Sequence, residues 1–312
     1  MNVQHNITLN PEAIHKESAI SKILFNLTGI CSVLYITINT LIGYPFLLTA
    51  AMLKLMLPFD FSRKFFTKIL IFIATTWIRN NNFLFSKILR IKIHVTGEKD
   101  LPAKEWYMVI SNHQSWSDII VLQMVLNGKI PLLKFFLKQE LIRVPLLGIA
   151  WWALDFPFMK RFSSEFLKQH PSMKGKDIEI TRKACKKFKY TPVSIMSFVE
   201  GTRFTNLKHK QQSSPYKNLL KPRAGGTGFV FSAMGEQLHC ILDVTIKYPE
   251  RDLDFWNFLC GRVHRVSMHI EKLPLKKELI GDYDSDMNYQ KFFRGWLNAL
   301  WEKKDRFIDT ME

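Results

Sequence analysis

The chain has 312 residues, a formal net charge of +17 and 47% hydrophobic side chains. That length supports one large or two modest domains with a real core. A plain nucleic-acid binder of this charge is usually less apolar, so the balance favours a protein on an anionic membrane surface or one that handles phosphorylated substrates.

In chain order, residues 1–20 read as a tail. Between Lys22 and Lys54 there is no charged side chain. A bilayer span needs about 20 apolar residues, so this stretch can cross once with length to spare. Asn26, Asn39, Thr40 and Pro45 interrupt it and leave room for a kinked or re-entrant pair instead. It is too long for the apolar region of a cleaved signal. Lys54, Arg63, Lys64 and Lys68 follow closely, which puts the rest of the chain on the cytoplasmic side of an inner membrane. The run at 65–78 carries Lys68 and reads as interfacial or docked, so residues 21–79 are taken as one membrane-anchoring helical segment.

From about residue 88 the pattern becomes α/β. Strands are expected at "IKIHV", "WYMVI", "VSIMSFV", "CILDVTI" and "RVSMHIEKL", and a buried helix at "IIVLQMVL" stopped by Asn127-Gly128. A basic helix is expected at "IEITRKACKKFKY". Strands alternating with helices predict a mostly parallel sheet flanked by helices, with residues 80–312 as one domain. The last segment places Phe292, Trp296 and Leu300 on one helical stripe with Phe293, Leu297 and Trp301 beside it, an amphipathic helix packed on the body. "DYDSDMN" opens like a calcium loop, but Met287 occupies the required glycine, so it reads as a turn and helix cap.

In such sheets ligands bind at the carboxyl ends of the strands. Two polar runs fall there, "NHQSWSD" (112–118) and "EGTR" (200–203). On one continuous helix His113 and Asp118 would lie about 140° apart, at ~100° per residue. They meet only if the helix begins between them, and Ser115-x-x-Asp118 is the spacing of a helix start. One reading is that Asp118 merely caps that helix. The other is that Asp118 fixes the tautomer of His113, leaving its second nitrogen as a general base. No G-x-S-x-G elbow is present, so the base would act on a hydroxyl brought by the substrate. Arg203 in "FVEGTRF", and Lys221 and Arg223 before "AGGTG", describe an anion cradle near that base. Four scattered cysteines and the pair His264/His269 lack metal-ligand spacing, so no metal site is expected.

These residues carry a family resemblance. Asn112–Asp118 resembles the NHxxxxD signature of glycerolipid acyltransferases, and Phe198–Phe204 resembles their EGTR block. Lys138–Arg161 resembles the intervening block that ends in a phosphate-contacting Arg, and "CILDVTIKYP" the late apolar block. The four stand in the family's order over roughly residues 85–250. Asp155 and Phe158 depart from the family pattern. The nearest branch is that of bacterial 1-acylglycerol-3-phosphate acyltransferases related to lysocardiolipin acyltransferases. The resemblance implies direct acyl transfer from acyl-CoA or acyl carrier protein, as co-substrate and without a bound cofactor, to a lysophospholipid hydroxyl. The expected acceptor is 1-acylglycerol-3-phosphate, giving phosphatidic acid. His113 and Asp118 are the expected catalytic pair. Asn112, Arg161, Glu200, Gly201, Thr202, Arg203 and Lys221 are the expected substrate-binding residues, with Arg161 and Arg203 on phosphate. Expected partners are the two substrates and anionic membrane lipids, not nucleic acid. The alternatives are a different acceptor (lysophosphatidylglycerol or lysocardiolipin) or a non-catalytic basic membrane-associated binding protein.

Overall fold

The computed structural model describes residues 18–57, 59–159, 185, 188, 191–249 and 254–311. The chain opens with two helices, α1 (Ala19–Met56) and α2 (Asp60–Phe83), packed against each other. Residues 23–53 are therefore one continuous helix that contains Pro45, and the pair is formed by α1 with the following segment. The polar interruptions explain the pairing. Asn39 donates to the Trp77 carbonyl (3.0 Å) and to Asn81 Oδ1 (2.8 Å), and Trp77 Nε1 donates to Thr40 Oγ1 (3.0 Å). Among apolar surroundings such bonds join helices where hydrophobicity alone would not choose a partner. The outward faces stay apolar: Ile38, Ile42 and Phe46 of α1 are all more than half exposed.

The body is a six-stranded sheet in the order β1-β8-β7-β2-β6-β3. Its strands are β1 (Lys92–Gly97), β2 (Tyr107–Ser111), β3 (Leu133–Phe135), β6 (Ser194–Phe198), β7 (Cys240–Lys247) and β8 (Arg265–Pro274). Strands β7, β2, β6 and β3 run parallel, β8 is antiparallel to β7, and β1 is parallel to β8. A small parallel pair, β4 (Leu137–Lys138) and β5 (Phe158–Met159), stands apart. The central strands read as unbroken apolar runs because both faces are covered. Tyr107 and Val109 point into one core with α3 (Asp118–Leu126), whereas Met108 and Ile110 point into the other. That second core is closed by helices α6 (Ala224–Met234) and α8 (Met287–Thr310). Short helices α4 (Leu147–Ala153) and α5 (Asn206–Gln212) precede α6 in sequence, and α7 (Phe255–Leu259) lies between α6 and α8.

Helix α8 packs on the body as its pattern predicts, with Phe293, Leu297, Leu300 and Trp301 buried and Phe292 left outside. Asp286 caps it through the Asn288 and Tyr289 amides, as the "DYDSDMN" turn suggests. The basic helix expected over 178–190 falls almost entirely outside the described residues. Helix α1 rests on the body at two points. Gly29 lets it approach Cys260 and Trp256, and Ser32 Oγ donates to the Leu259 carbonyl (2.9 Å). At the other end Lys54 binds Asp155 (2.6 Å). Asp155 holds a left-handed backbone, φ 57°, a conformation that favours glycine and that aspartate tolerates better than most residues.

Candidate active site

The two polar runs come together because β2 and β6 are adjacent and parallel, with Ser111 level with Phe198. Each strand ends there, one in Asn112-His113 and the other in Val199-Glu200. Strand β7 flanks β2 on the other side, with Val244 level with Ser111. Three neighbouring strand ends thus converge on one point.

His113 stays in the turn and α3 starts at Asp118, which is the break the spacing requires. His113 Nδ1 lies 2.8 Å from Asp118 Oδ2. A carboxylate only accepts, so Nδ1 carries the proton and Nε2 is left with its lone pair. The same Oδ2 accepts from the amides of Gln114 (2.7 Å) and Ser115 (3.0 Å). The second oxygen, Oδ1, accepts from Tyr248 Oη at 2.8 Å. Burial and the neighbouring Asp118 charge hold the Tyr248 hydroxyl well above its ordinary pKa, so it remains a donor. Phe198 stacks on the imidazole with ring centres 4.0 Å apart and planes 12° from parallel, which fixes the ring's other face.

Glu200 lies wholly inside. Its Oε1 accepts from the His113 amide (3.0 Å) and its Oε2 from the Leu220 amide (3.1 Å). Burial pushes its carboxyl up to about 8, against the pull of both N–H bonds and of nearby Lys304. Asn112 is equally internal: its side-chain amide donates to the Ile246 carbonyl (2.8 Å) and accepts from the Ile246 amide (2.9 Å). It acts as a further ladder rung between β2 and β7. Both side chains thus direct these hydrogen bonds at backbone groups of the body.

The cavity in front of His113 measures about 360 Å³. His113, Trp116, Gly201, Thr202, Arg203 and Lys208 supply its polar and aromatic rim, and Phe135, Phe136 and Phe198 its apolar wall. The Arg203 guanidinium lies over the Trp116 ring, 4.5 Å from its centre, and Lys208 Nζ donates to Thr202 Oγ1 (2.7 Å). Gly201 takes φ +69°, and a Cβ there would stand 3.0 Å from Arg223 Cδ. The turn amides of His113, Gln114, Ser115 and Gly201 are all engaged within the protein. Those of Thr202 and Arg203 have no acceptor among the described residues.

Of the expected residues, His113, Gly201, Thr202 and Arg203 face one cavity. Lys221 is exposed and lies off its lining, and Arg161 is outside the described residues. Lys208, Trp116, Phe198 and Tyr248 were not singled out from sequence. Only Tyr248 had a signal, as the last polar residue of the "CILDVTIKYP" block.

An imidazole–carboxylate pair opens on a cavity with an Arg/Lys rim, an arrangement suited to activating a hydroxyl beside an anion. Residues 92–246, which include the ends of β2 and β6 and all but the last residue of β7, match the family model described as Acyltransferase, and the chain belongs to that family of O-acyltransferases. Among curated proteins it is 26% identical to the "Probable 1-acyl-sn-glycerol-3-phosphate acyltransferase 5" of Arabidopsis thaliana, over 84% of this chain and 67% of that one. It is 25% identical to "Lysocardiolipin acyltransferase 1" of Danio rerio, over 89% and 70% of the two chains. The solved structure of the 1-acyl-sn-glycerophosphate acyltransferase PlsC from Thermotoga maritima superposes with a TM-score of 0.53 at 17% identity, covering 93% of this chain and 97% of that one. That likeness establishes the fold. The chain is thus an acyltransferase of the lysophospholipid type.

Proposed function

We propose that this protein transfers a fatty acyl group from acyl-CoA or acyl carrier protein to the free hydroxyl of 1-acylglycerol-3-phosphate, giving phosphatidic acid, at a membrane surface. The observation that carries the reading is the His113–Asp118 pair opening on the cavity rimmed by Arg203 and Lys208.

In this reading Nε2 of His113 removes the proton of the acceptor hydroxyl as its oxygen attacks the thioester carbonyl. The tetrahedral intermediate collapses with cleavage of the C–S bond, and His113 returns the proton to the leaving thiolate. An ester and a thiol result, with no acyl-enzyme. Asp118 offsets the imidazolium charge that forms between the two proton transfers. The unengaged amides of Thr202 and Arg203 are the donors for the developing oxyanion. Arg203, set on Trp116, and Lys208 hold the acceptor phosphate, and Arg203 presents the planar fork such an anion matches. The apolar outer faces of α1 and α2 keep the body at the lipid surface where the acceptor and the phospholipid product reside.

The test is transfer of a labelled acyl chain to a panel of lysophospholipids. Arg203→Ala and Lys208→Ala are expected to raise KM for 1-acylglycerol-3-phosphate at least tenfold, with a smaller effect on acceptors whose phosphate is a diester. Transfer to lysophosphatidylglycerol or lysocardiolipin in preference to 1-acylglycerol-3-phosphate would replace the acceptor assignment. Absence of transfer to any acceptor from either donor would sink the reading as a whole.

A further inference from the structure

A second basic cavity, of about 350 Å³, opens beside the first. The two meet at the glycine turn: Gly201 lines the first, and Arg223, whose side chain fills the space beside Gly201, lines the second. Gly226 belongs to the first cavity and its neighbour Gly225 to the second, so only backbone separates them along the start of α6. Two arginines from different elements line the second cavity, Arg223 before α6 and Arg294 from α8. Among the described residues neither has a carboxylate partner, and no acidic side chain lines the space. Arg294 Nε is 3.4 Å from Tyr283 Oη, and its terminal nitrogens have no other partner among the described residues. Tyr283, Leu297 and Pro222 supply the apolar walls.

Acyl transfer brings two anionic molecules to one imidazole. The acceptor carries its phosphate a few bonds from the reacting hydroxyl, within reach of Arg203 and Lys208 when that hydroxyl sits at His113. The donor carries its phosphate at the far end of a long thiol arm, so its anion must bind away from the thioester. We infer that the Arg223/Arg294 cavity is the phosphate subsite of the acyl donor, with the arm crossing the Gly225-Gly226 backbone, which carries no side chain of its own. Paired Arg forks match phosphate oxygens bidentately, and the apolar walls suit the organic part of the donor next to its phosphate. The inference rests on the acyl-transfer reading above and assigns the second substrate's place in it.

The test compares three donors with Arg294→Gln and Arg223→Gln: acyl-CoA, acyl carrier protein and an acyl-pantetheine thioester that lacks any phosphate. Each substitution is expected to raise KM for acyl-CoA about tenfold, with kcat within twofold and KM for the acceptor unchanged. Acyl-pantetheine should be used equally by wild type and Arg294→Gln. A KM rise for both large donors assigns the cavity to the phosphate they share, and a rise for acyl-CoA alone assigns it to the nucleotide phosphates. An unchanged KM for acyl-CoA, or a rise for the acceptor instead, overturns the assignment. CoA binding measured calorimetrically in the absence of acceptor separates the two levels. If no donor is turned over but Arg294→Gln still weakens CoA binding tenfold, the acyl-transfer reading fails and the phosphate site stands.

Discussion

Replacing Asp118 by Asn separates the two roles that one carboxylate fills. Oδ2 takes three donors, from His113 Nδ1 and the Gln114 and Ser115 amides, while Oδ1 takes only the Tyr248 hydroxyl. An Asn must therefore set its oxygen on the three-donor side, since an amide nitrogen there would face three N–H groups. Its nitrogen then meets Tyr248 Oη, which can turn to accept. The connections survive and the charge does not. Four charge-assisted bonds become neutral ones, a loss of roughly 1 kcal/mol apiece before the easier burial of an uncharged amide offsets half or more of it. The variant should therefore lose about 1–2 kcal/mol of stability and a few degrees of Tm. Catalysis should suffer far more. An imidazolium formed beside a neutral amide lacks its counter-charge, and by analogy with other His–Asp pairs kcat should fall on the order of 10²–10⁴, or about 3–5 kcal/mol of activation free energy. Initial rates with a labelled acyl donor, set beside circular-dichroism melts of both proteins, check this. Should Asp118→Asn keep kcat within threefold of wild type while Asp118→Ala unfolds, the carboxylate would be a helix cap and no more.

Three further outcomes are expected. Lys304→Met strands Asp243, whose only close cation is Lys304 Nζ at 2.8 Å among the described residues, and should cost about 3–5 kcal/mol at neutral pH in urea unfolding. Burial already holds the Asp243 carboxyl above its usual range. Removing the lysine raises it further, so the folded variant binds a proton more tightly than the unfolded chain, and its stability should fall as pH rises above about 4 and recover on acidification; a pH-independent deficit would contradict this. Gly201→Ala forces φ +69° on a residue with a Cβ that stands 3.0 Å from Arg223, and a loss of about 1–2 kcal/mol is expected by thermal melt, with an unaltered melt counting against the strained turn. Changing Ile38, Ile42 and Phe46 to Ser removes three exposed apolar groups from α1, about 4–9 kcal/mol of partitioning at most, and should move the protein off phosphatidylglycerol vesicles in flotation, whereas retained binding would assign attachment to other surfaces.

Much of this site was legible because its signals are local. Strands β2, β6 and β7 are short apolar runs with polar ends, and polar ends of parallel strands gather at one edge. The angle argument for His113 and Asp118 needed only helix geometry. It set helix-start contacts against an imidazole contact as rival explanations for Asp118, and one oxygen makes both. Asp118 Oδ2 accepts from the Ser115 amide just ahead of the helix, and the same oxygen holds the imidazole. What stayed hidden depends on register between distant segments. Asn112 and Ile246 exchange two hydrogen bonds across 134 residues of sequence, and Tyr248 reaches Asp118 across 130. A lone Tyr before a Pro carries no such information. Lys208 is one of several lysines in a basic stretch, and only the fold of the turn selects it rather than Lys221. The polar breaks in the apolar N-terminal run, readable as a kinked single segment, turn out to face a second helix that the sequence presents as a less apolar stretch.

The family match ends at residue 246, yet the site is not complete there. Tyr248 is two residues beyond it, and Lys304 lies on the final helix. Lys304 Nζ binds Asp243, the Val244 carbonyl (2.7 Å) and Thr245 Oγ1 (2.9 Å), three consecutive residues of β7. The next residue, Ile246, is the one Asn112 grips. The same cation also draws the buried Glu200 carboxyl toward its ionised form, and Glu200 holds the His113 amide. One buried lysine from α8 thus steadies the turn from both flanking strands. A domain truncated at the end of the matched segment would keep His113 and Asp118 and lose the strand-end geometry that aligns them. The matched segment holds the imidazole and its carboxylate, whereas part of their support comes from later segments that deliver one charge or one hydroxyl to a fixed point.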